Sequence, residues 1–222
     1  MHAPFTYTYA SDFDHTIIAF YNKLRSDGID WLPDKLPEHL KYNFMDIEKS
    51  DPALFFYLTN FFSFRQSRKI DTHLYTEVVD QYGDVVDMVG RVRRNISLEL
   101  PLLRGITDIS CKSYDMVDYS DKSVVYMDPP YRNTSDYYIN RISGEFDHDA
   151  FWDFVRDLSK RCFVVVSEYS APCDFDPVIS IKRTCTMRLS DGQDVSDNIY
   201  MFTGCDFYNK YIELTEEVWD LV

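Results

Sequence analysis

The stretch Ser123-Val124-Val125-Tyr126-Met127-Asp128-Pro129-Pro130-Tyr131 decides the fold prediction for this chain. The apolar residues at its start predict a buried strand. An acid, two prolines and an aromatic residue follow where that strand ends. Proline fixes φ, so this turn is stiff. Open α/β sheets bind their ligands beyond the carboxyl ends of the strands. The stretch therefore predicts a rigid binding corner at one edge of a sheet, and residues 128–131 are called the proline corner below.

Strand and helix patterns alternate around the proline corner. Strands are predicted at residues 5–10, 106–111, 123–127 and 162–166, and an antiparallel pair at 179–188 and 198–203. Helices are predicted after a cap at Asp14 or Ser11 and at residues 149–161. This alternation implies an α/β fold with a mostly parallel sheet covered by helices.

Residues 35–104 look different from the rest of the chain. Their apolar stripes fit a helical period, and they contain no clear strand sequence; one stripe consists of Tyr75, Val78, Val79, Tyr82 and Val86. The sequence therefore predicts a helical insertion at 35–104. Residues 1–34 and 105–222 then form the main domain.

The residue types of the proline corner suit one kind of chemistry. A carboxylate at Asp128 and a backbone carbonyl at Pro129 can accept both hydrogens of an amino group on a flat ring. Such an amine is a poor nucleophile until its nitrogen is made pyramidal. Tyr131 can stack on a base that has left a helix. The plainer alternative is an ordinary Pro-Pro turn after a strand.

The proline corner resembles the catalytic motif of the Dam-type DNA adenine methyltransferases, especially the phage members. Further residues carry the same resemblance over nearly the whole chain: Thr134 and Tyr137 after the corner, Phe146-Asp147-His148 with Phe151-Trp152, Ser167-Glu168-Tyr169-Ser170-Ala171-Pro172, and Ala10-Ser11-Asp12-Phe13-Asp14 followed by Ile17-Ile18-Ala19-Phe20-Tyr21. The resemblance implies a Rossmann-like class I methyltransferase sheet. It also implies S-adenosylmethionine as the cofactor and adenine in DNA as the substrate.

Roles for single residues follow from this resemblance. It implies catalysis by Asp128, Pro129, Pro130 and Tyr131, cofactor binding by Asp12, Ser113 and Asp128, and substrate binding by Thr134, Tyr137, Arg91, Arg93 and Arg94, with no metal. Alternatives stay open for several of these residues. Asp12 could be a helix cap, Ser113 part of an ordinary turn where the family usually has an Asp, and the arginines a solvated helix face. Outside these sets, Glu168 is a candidate acceptor near the pocket, and His148 is a cap or packing residue.

The glycine loop of the family is missing. The family carries an aromatic-x-Gly-x-Gly turn after its first strand, which lets the backbone approach the cofactor. This chain has 7 glycines, and no two lie within six residues of each other. Without that first strand, two central strands of the sheet would be unpaired. We therefore expect the strand and the loop to be supplied by a separate subunit, by an upstream segment lost through truncation or gene splitting, or by a second copy, which makes the chain a subunit or half of the enzyme.

The composition limits the partners and the compartment. The net charge is −14, which is unusual for a DNA-binding protein. Basic residues concentrate between Arg65 and Arg104, so DNA is expected to approach there. Apolar runs are too short to span a membrane, and no signal peptide is recognisable. The scattered cysteines fit reduced thiols in the cytoplasm of a bacterium or of a phage-infected host.

Two rival functions remain at this stage. The chain could be a catalytically inactive methyltransferase-like protein that acts as a binding or regulatory subunit. It could also modify another planar amine, such as cytosine in DNA or a base in RNA.

Overall fold

The computed structural model describes residues 7–36, 40, 46–63, 74–79, 82–132, 146–183 and 195–219. The chain divides into two compact units, residues 1–117 and residues 118–222. The fold is mixed α/β, with parallel and antiparallel strand pairs. No helix within the described ranges is long and apolar enough to cross a membrane.

The first unit contains eight helices and strands and one 3-10 turn among its described residues. In chain order they are β1 (Tyr9–Asp12), α1 (His15–Asp27), α2 (Ile47–Ser50), α3 (Pro52–Phe62), β2 (Glu77–Val79), β3 (Val85–Asp87), α4 (Met88–Arg104), β4 (Asp108–Cys111) and the 3-10 turn Tyr114–Met116. Strands β1 and β4 pair in parallel, with Asp12 opposite Cys111. The strand predicted at residues 5–10 corresponds to β1, which spans Tyr9–Asp12 in the part of the chain that the structure describes.

Helix α1 begins after Asp14, one of its two predicted caps. Asp14 is the N-cap, and its Oδ1 accepts hydrogen bonds from the backbone N–H and the hydroxyl of Thr16 at 2.9 and 2.7 Å. Gly28 ends the helix at φ = 72°, a backbone conformation that glycine adopts without steric cost. Helices α1, α3 and α4 bury an aromatic-rich core that includes Phe20, Leu24, Phe55, Phe56, Tyr57, Leu58, Phe62, Val89, Val92 and Ile96.

The prediction that residues 35–104 contain no strand is wrong. Strands β2 and β3 form an antiparallel hairpin in which Val78 lies opposite Val86. The apolar stripe assigned to a helix falls on this hairpin, although its spacing is helical. Valines favour extended backbone, and Gly83 at φ = 90° provides the turn. Helices α2, α3 and α4 do lie within 35–104, and that part of the helical prediction agrees with the structure.

The second unit is built on a four-stranded sheet. Its elements in chain order are β5 (Val124–Met127), α5 (His148–Leu158), β6 (Phe163–Glu168), β7 (Phe175–Arg183), β8 (Val195–Phe202) and α6 (Asp206–Trp219). The strand order is β5-β6-β8-β7. Strands β5 and β6 are parallel, whereas β8 is antiparallel to both of its neighbours. The predicted antiparallel pair is thus confirmed in its described part. Among the described residues two of the five strand pairs are parallel and three are antiparallel, so this part of the chain has a mixed sheet arrangement where a mostly parallel sheet was expected.

Helix α5 agrees closely with its prediction. Asp147 caps it through hydrogen bonds from two backbone N–H groups, and Phe151, Val155 and Leu158 are buried as expected. The helical period of the sequence predicts Phe151, Phe154, Val155 and Leu158 as the inward positions; of these, Phe154 is only half-buried, whereas Trp152 is buried.

Strand β5 is less buried than the sequence predicts. Val125 and Met127 are buried, but Val124 and Tyr126 are 53% and 60% exposed. Successive side chains of a strand point to opposite faces, so one face of β5 is uncovered. Among the described residues, β5 pairs with β6 alone and β1 pairs with β4 alone. In this part of the chain, β5 therefore has one unpaired edge in the four-stranded sheet, and β1 has one unpaired edge in the β1–β4 sheet.

Candidate functional site

The proline corner lies at the carboxyl edge of the β5–β6 pair. Met127 is aligned with Val166 in this parallel pair. The residues after Met127 and the residues after Val166 therefore emerge at the same edge of the sheet. This places the corner directly beside the end of β6, at the position where parallel sheets bind ligands.

Three consecutive residues at the end of β6 contact the proline corner and the residue after it. The hydroxyl groups of Tyr131 and Ser167 are hydrogen-bonded at 2.5 Å. The backbone N–H of Arg132 donates to Oε1 of Glu168 at 2.9 Å. The rings of Tyr131 and Tyr169 meet edge to face, with centroids 4.5 Å apart. Two hydrogen bonds and a ring contact therefore fix where the corner sits on the sheet.

Two neighbouring elements support this arrangement. The guanidinium of Arg132 pairs with Asp149 in the first turn of α5 at 2.8 Å. On the other side, the carbonyl of Tyr169 accepts hydrogen bonds from the side chains of Asn198 and Tyr200 on β8, each at 3.2 Å. The corner is thus tied to β6 and α5, and β6 is tied to β8.

Asp128 is exposed, yet part of its carboxyl group is desolvated. This partial burial raises the pKa of Asp128 above its usual value, and the negative charge of Asp197 acts in the same direction. A hydrogen bond from Tyr131 acts against the shift. Pro129 is buried and Pro130 half-buried, so the acid stands at the tip of a corner whose prolines are packed.

Glu168 is a buried acid behind the corner. Only 1% of the residue is exposed, and its Oε2 has no hydrogen-bond partner among the described residues. Burial raises the pKa of Glu168 to about 7. The backbone N–H groups of Arg132 and Tyr169 and the Arg132 charge act against this rise, whereas the Asp128 charge adds to it. At neutral pH the carboxyl group is therefore close to half-protonated.

In the first unit, Asp12 and Ser113 come to one edge of the β1–β4 pair. Asp12 ends β1 opposite Cys111, and Ser113 follows Cys111 by two residues. The alternative of Asp12 as the helix cap is not what the structure has, because Asp14 caps α1. Instead, Oδ1 of Asp12 accepts the N–H of Asp14 at 2.7 Å. Ser113 precedes the 3-10 turn and makes no side-chain cap hydrogen bond to it.

The three predicted arginines of α4 have different surroundings. Arg91 and Arg94 are exposed and line a cleft of about 480 Å³ together with Val86, Asp87, Gly90 and Asn95. Arg93 points elsewhere: it forms an ion pair with Asp34 at 3.1 Å and donates to the backbone carbonyls of Ile29 and Leu32. The structure therefore brings Arg91 and Arg94 together and leaves Arg93 as a packing residue of the first unit.

Two predicted substrate residues, Thr134 and Tyr137, lie outside the described residues. His148 is the first residue of α5, and its ring lies 5.0 Å from that of Phe146, which agrees with a packing role. Within the ranges that the structure covers, no three His, Cys, Asp or Glu side chains are grouped as metal ligands.

Sequence reasoning missed the way in which Ser167, Tyr169 and Asp149 hold the corner, and it missed Asn95 in the cleft. A usable signal existed for the first two of these residues. They end a strand that was expected to run parallel to the strand before the corner, and parallel neighbours end at the same edge. The ion pair with Asp149 and the cleft beside Asn95 carried no comparable signal.

No known family model matches the chain, and no curated protein matches it either.

Proposed function

We propose that this chain is the catalytic subunit or half of an adenine-specific DNA methyltransferase that uses S-adenosylmethionine. The observation that carries the proposal is the proline corner, fixed at the carboxyl edge of β5 by Ser167, Glu168 and Tyr169. A stiff acid-tipped corner of this kind suits a reaction whose catalysis is mostly positioning.

The chain's own residues have clear tasks in this proposal. Asp128 and the Pro129 carbonyl accept the two hydrogens of the adenine amine, which favours the pyramidal nitrogen that attacks. Tyr131 provides a ring for stacking, and its hydroxyl bond to Ser167 keeps that ring in place. Asp128 takes the proton that the amine loses. The bound cofactor supplies an activated methyl group.

The free edge of β5 supports the expectation of a partner chain. Val124 and Tyr126 leave an apolar face uncovered, and β5 offers unpaired backbone groups along that edge within the described residues. Exposed apolar edge strands readily accept another strand. We propose that a partner adds a strand here and supplies the glycine loop. A Tyr126→Glu variant is then expected to lose the complex in size-exclusion chromatography, while Leu214→Glu on α6 keeps it. Equal binding by both variants would rule out this edge.

The cleft beside α4 is the proposed contact to the DNA backbone. Arg91 and Arg94 line it, and the carboxylate of Asp87 accepts a hydrogen bond from the N–H of Gly90 at 3.1 Å. Replacing Arg91 or Arg94 with Gln is expected to reduce the slope of log K against log salt by about 0.9 per lost phosphate contact. Arg104→Gln is the matched control, because it lies on the same helix, about 15 Å from Arg94 and about 20 Å from Arg91. If the control has the same effect, the cleft is not the phosphate site.

A methylation assay tests the proposed function directly. The chain is co-expressed with an adjacent gene product that carries a strand and an aromatic-x-Gly-x-Gly turn, and the complex is incubated with labelled S-adenosylmethionine and unmodified DNA. The expected product is N6-methyladenine, and Asp128→Ala is expected to lower the rate about 100-fold or more. Asp118→Ala, an exposed acid outside the site, serves as the control.

The assay also separates the rival functions. N4-methylcytosine, or labelled RNA, would assign the same site to another planar amine. A stable complex that binds no cofactor in calorimetry and modifies nothing would favour the inactive binding subunit. That rival draws on the missing glycine loop, whereas the intact corner favours the enzyme.

A further inference from the structure

We propose that Glu168 is the positioning residue of the proline corner: its buried carboxyl group holds the backbone of Arg132, the residue that directly follows the corner. The contact to Arg132 stands independently of the reaction. Its catalytic meaning rests on the proposed function.

The first argument is the position of Glu168 in the fold. It is the last residue of β6, and its backbone is aligned with Asn198 of β8. The strand is therefore held on both sides, because β5 pairs with it further back along the chain. From this fixed point, Oε1 accepts the N–H of Arg132 at 2.9 Å. Arg132 directly follows the corner, so this hydrogen bond limits where the corner can move.

The second argument is the cost of a carboxyl group at this place. An apolar residue would fill a buried position at the end of a strand without a desolvation penalty. Glu168 is 1% exposed, and its Oε2 has no partner in the described part of the chain. Packing therefore gives no reason for an acid here, whereas the hydrogen bond to Arg132 does.

The third argument is the set of charges around Glu168. The Arg132 charge lowers the pKa of Glu168, and the Asp128 charge raises it. The Glu168 charge raises the pKa of Tyr200 on β8, and the charge of Asp197, also on β8, raises the pKa of Asp128. Ionised Glu168 accepts a charge-assisted hydrogen bond, which is about twice as strong as a neutral one. The same negative charge disfavours a second one on Asp128. Protonated Glu168 loosens the corner and makes Asp128 easier to ionise.

NMR of the full chain tests this proposal without any activity assay. The amide proton of Arg132 is followed from pH 5 to pH 8.5 in the unmodified protein. Because this N–H donates to the carboxyl group, its chemical shift is expected to follow the ionisation of Glu168, with a midpoint near 7. In Glu168→Gln the transition is expected to vanish, and in Glu213→Gln on α6 it is expected to stay. An Arg132 amide that does not titrate in the unmodified protein would overturn the proposal.

A second measurement follows Asp128 through its side-chain carbon resonance. In Glu168→Gln the midpoint of Asp128 is expected to fall, because a neighbouring negative charge is removed. If Glu168→Gln does not fold, Ser167→Ala takes its place as the variant. It removes the Tyr131 hydroxyl bond but leaves the carboxyl group, so the Arg132 transition must persist in it. Loss of the transition in Ser167→Ala would mean that the corner as a whole, and not Glu168, produces the signal.

The active complex adds a readout that a purely structural role would not move. Glu168→Gln is expected to shift the pH profile of the methylation rate and to lower kcat more than it raises KM. A titrating Arg132 amide in a complex without methylation would refute the proposed function and leave the Glu168 contact intact. A pH profile of kcat that is identical in Glu168→Gln would overturn the role of Glu168 in the reaction.

Discussion

Replacing Glu168 with Gln is expected to flatten the pH dependence of stability. Burial raises the pKa of this acid from 4.5 to about 7 in the folded chain. The folded state therefore binds more protons than the unfolded state between these two values. The stabilisation from that protonation is complete below about pH 4.5 and is lost as the pH rises through 7.

The size of the effect follows from the shift. Each pKa unit corresponds to about 1.4 kcal/mol, so the unmodified chain is expected to lose about 2–3 kcal/mol of unfolding free energy between pH 5 and pH 8 through this group. The Gln side chain keeps an acceptor for Arg132 but cannot ionise. Its extra amide hydrogens change the stability by a similar amount at every pH, so the difference between two pH values isolates the titration.

Urea unfolding at pH 5, 6, 7 and 8 provides the measurement, with the fluorescence of the buried Trp152 reporting on the second unit. Titrating groups that do not interact with Glu168 contribute equally to both proteins and cancel in the comparison. Glu213→Gln, an exposed acid on α6, is expected to keep the full pH dependence. If the curves of the unmodified chain and of Glu168→Gln run parallel from pH 5 to pH 8, the reasoning about this buried acid is wrong.

Three further predictions concern stability. Asp14→Ala is expected to cost about 1–2 kcal/mol in thermal unfolding, because the N-cap bonds to Thr16 are lost, while Asp14→Ser keeps most of them. Arg156→Lys is expected to cost about 1 kcal/mol in urea unfolding, because lysine keeps the charge but not the paired bonds to Asp174 at 2.6 and 2.8 Å. Gly83→Ala is expected to speed amide exchange in the β2–β3 hairpin, since φ = 90° costs an alanine about 1 kcal/mol or more although its Cβ would contact nothing. Unchanged stability in the Asp14 or Arg156 variant would refute the cap or the ion pair, and unchanged exchange in Gly83→Ala would refute the backbone strain.

The elements with strong local signals were predictable from the sequence. Helix α1 has a capping acid in front and a glycine behind, and both act on neighbouring residues. Helix α5 has an apolar pattern with a helical period, and the runs of β5 and β6 are short and rich in valine, which favours strands. The stripe across residues 75–86 has a helical spacing, so its pattern alone predicted the wrong element. The turn at Gly83, which is a local signal, would have favoured the hairpin.

The location of the candidate site was fixed by the chain itself, because prolines after an apolar strand stiffen a turn whatever surrounds them. Only the tertiary structure decided what holds that corner. Ser167, Glu168 and Tyr169 lie more than thirty residues from Tyr131 and Arg132 in the chain, and the register of β5 on β6 brings them together. Register depends on the packing of whole strand faces, and burial depends on the neighbours that this packing provides. The sequence therefore named the acid at the corner's tip, whereas the buried acid behind it acquires its raised pKa and its contact to Arg132 only from the folded sheet.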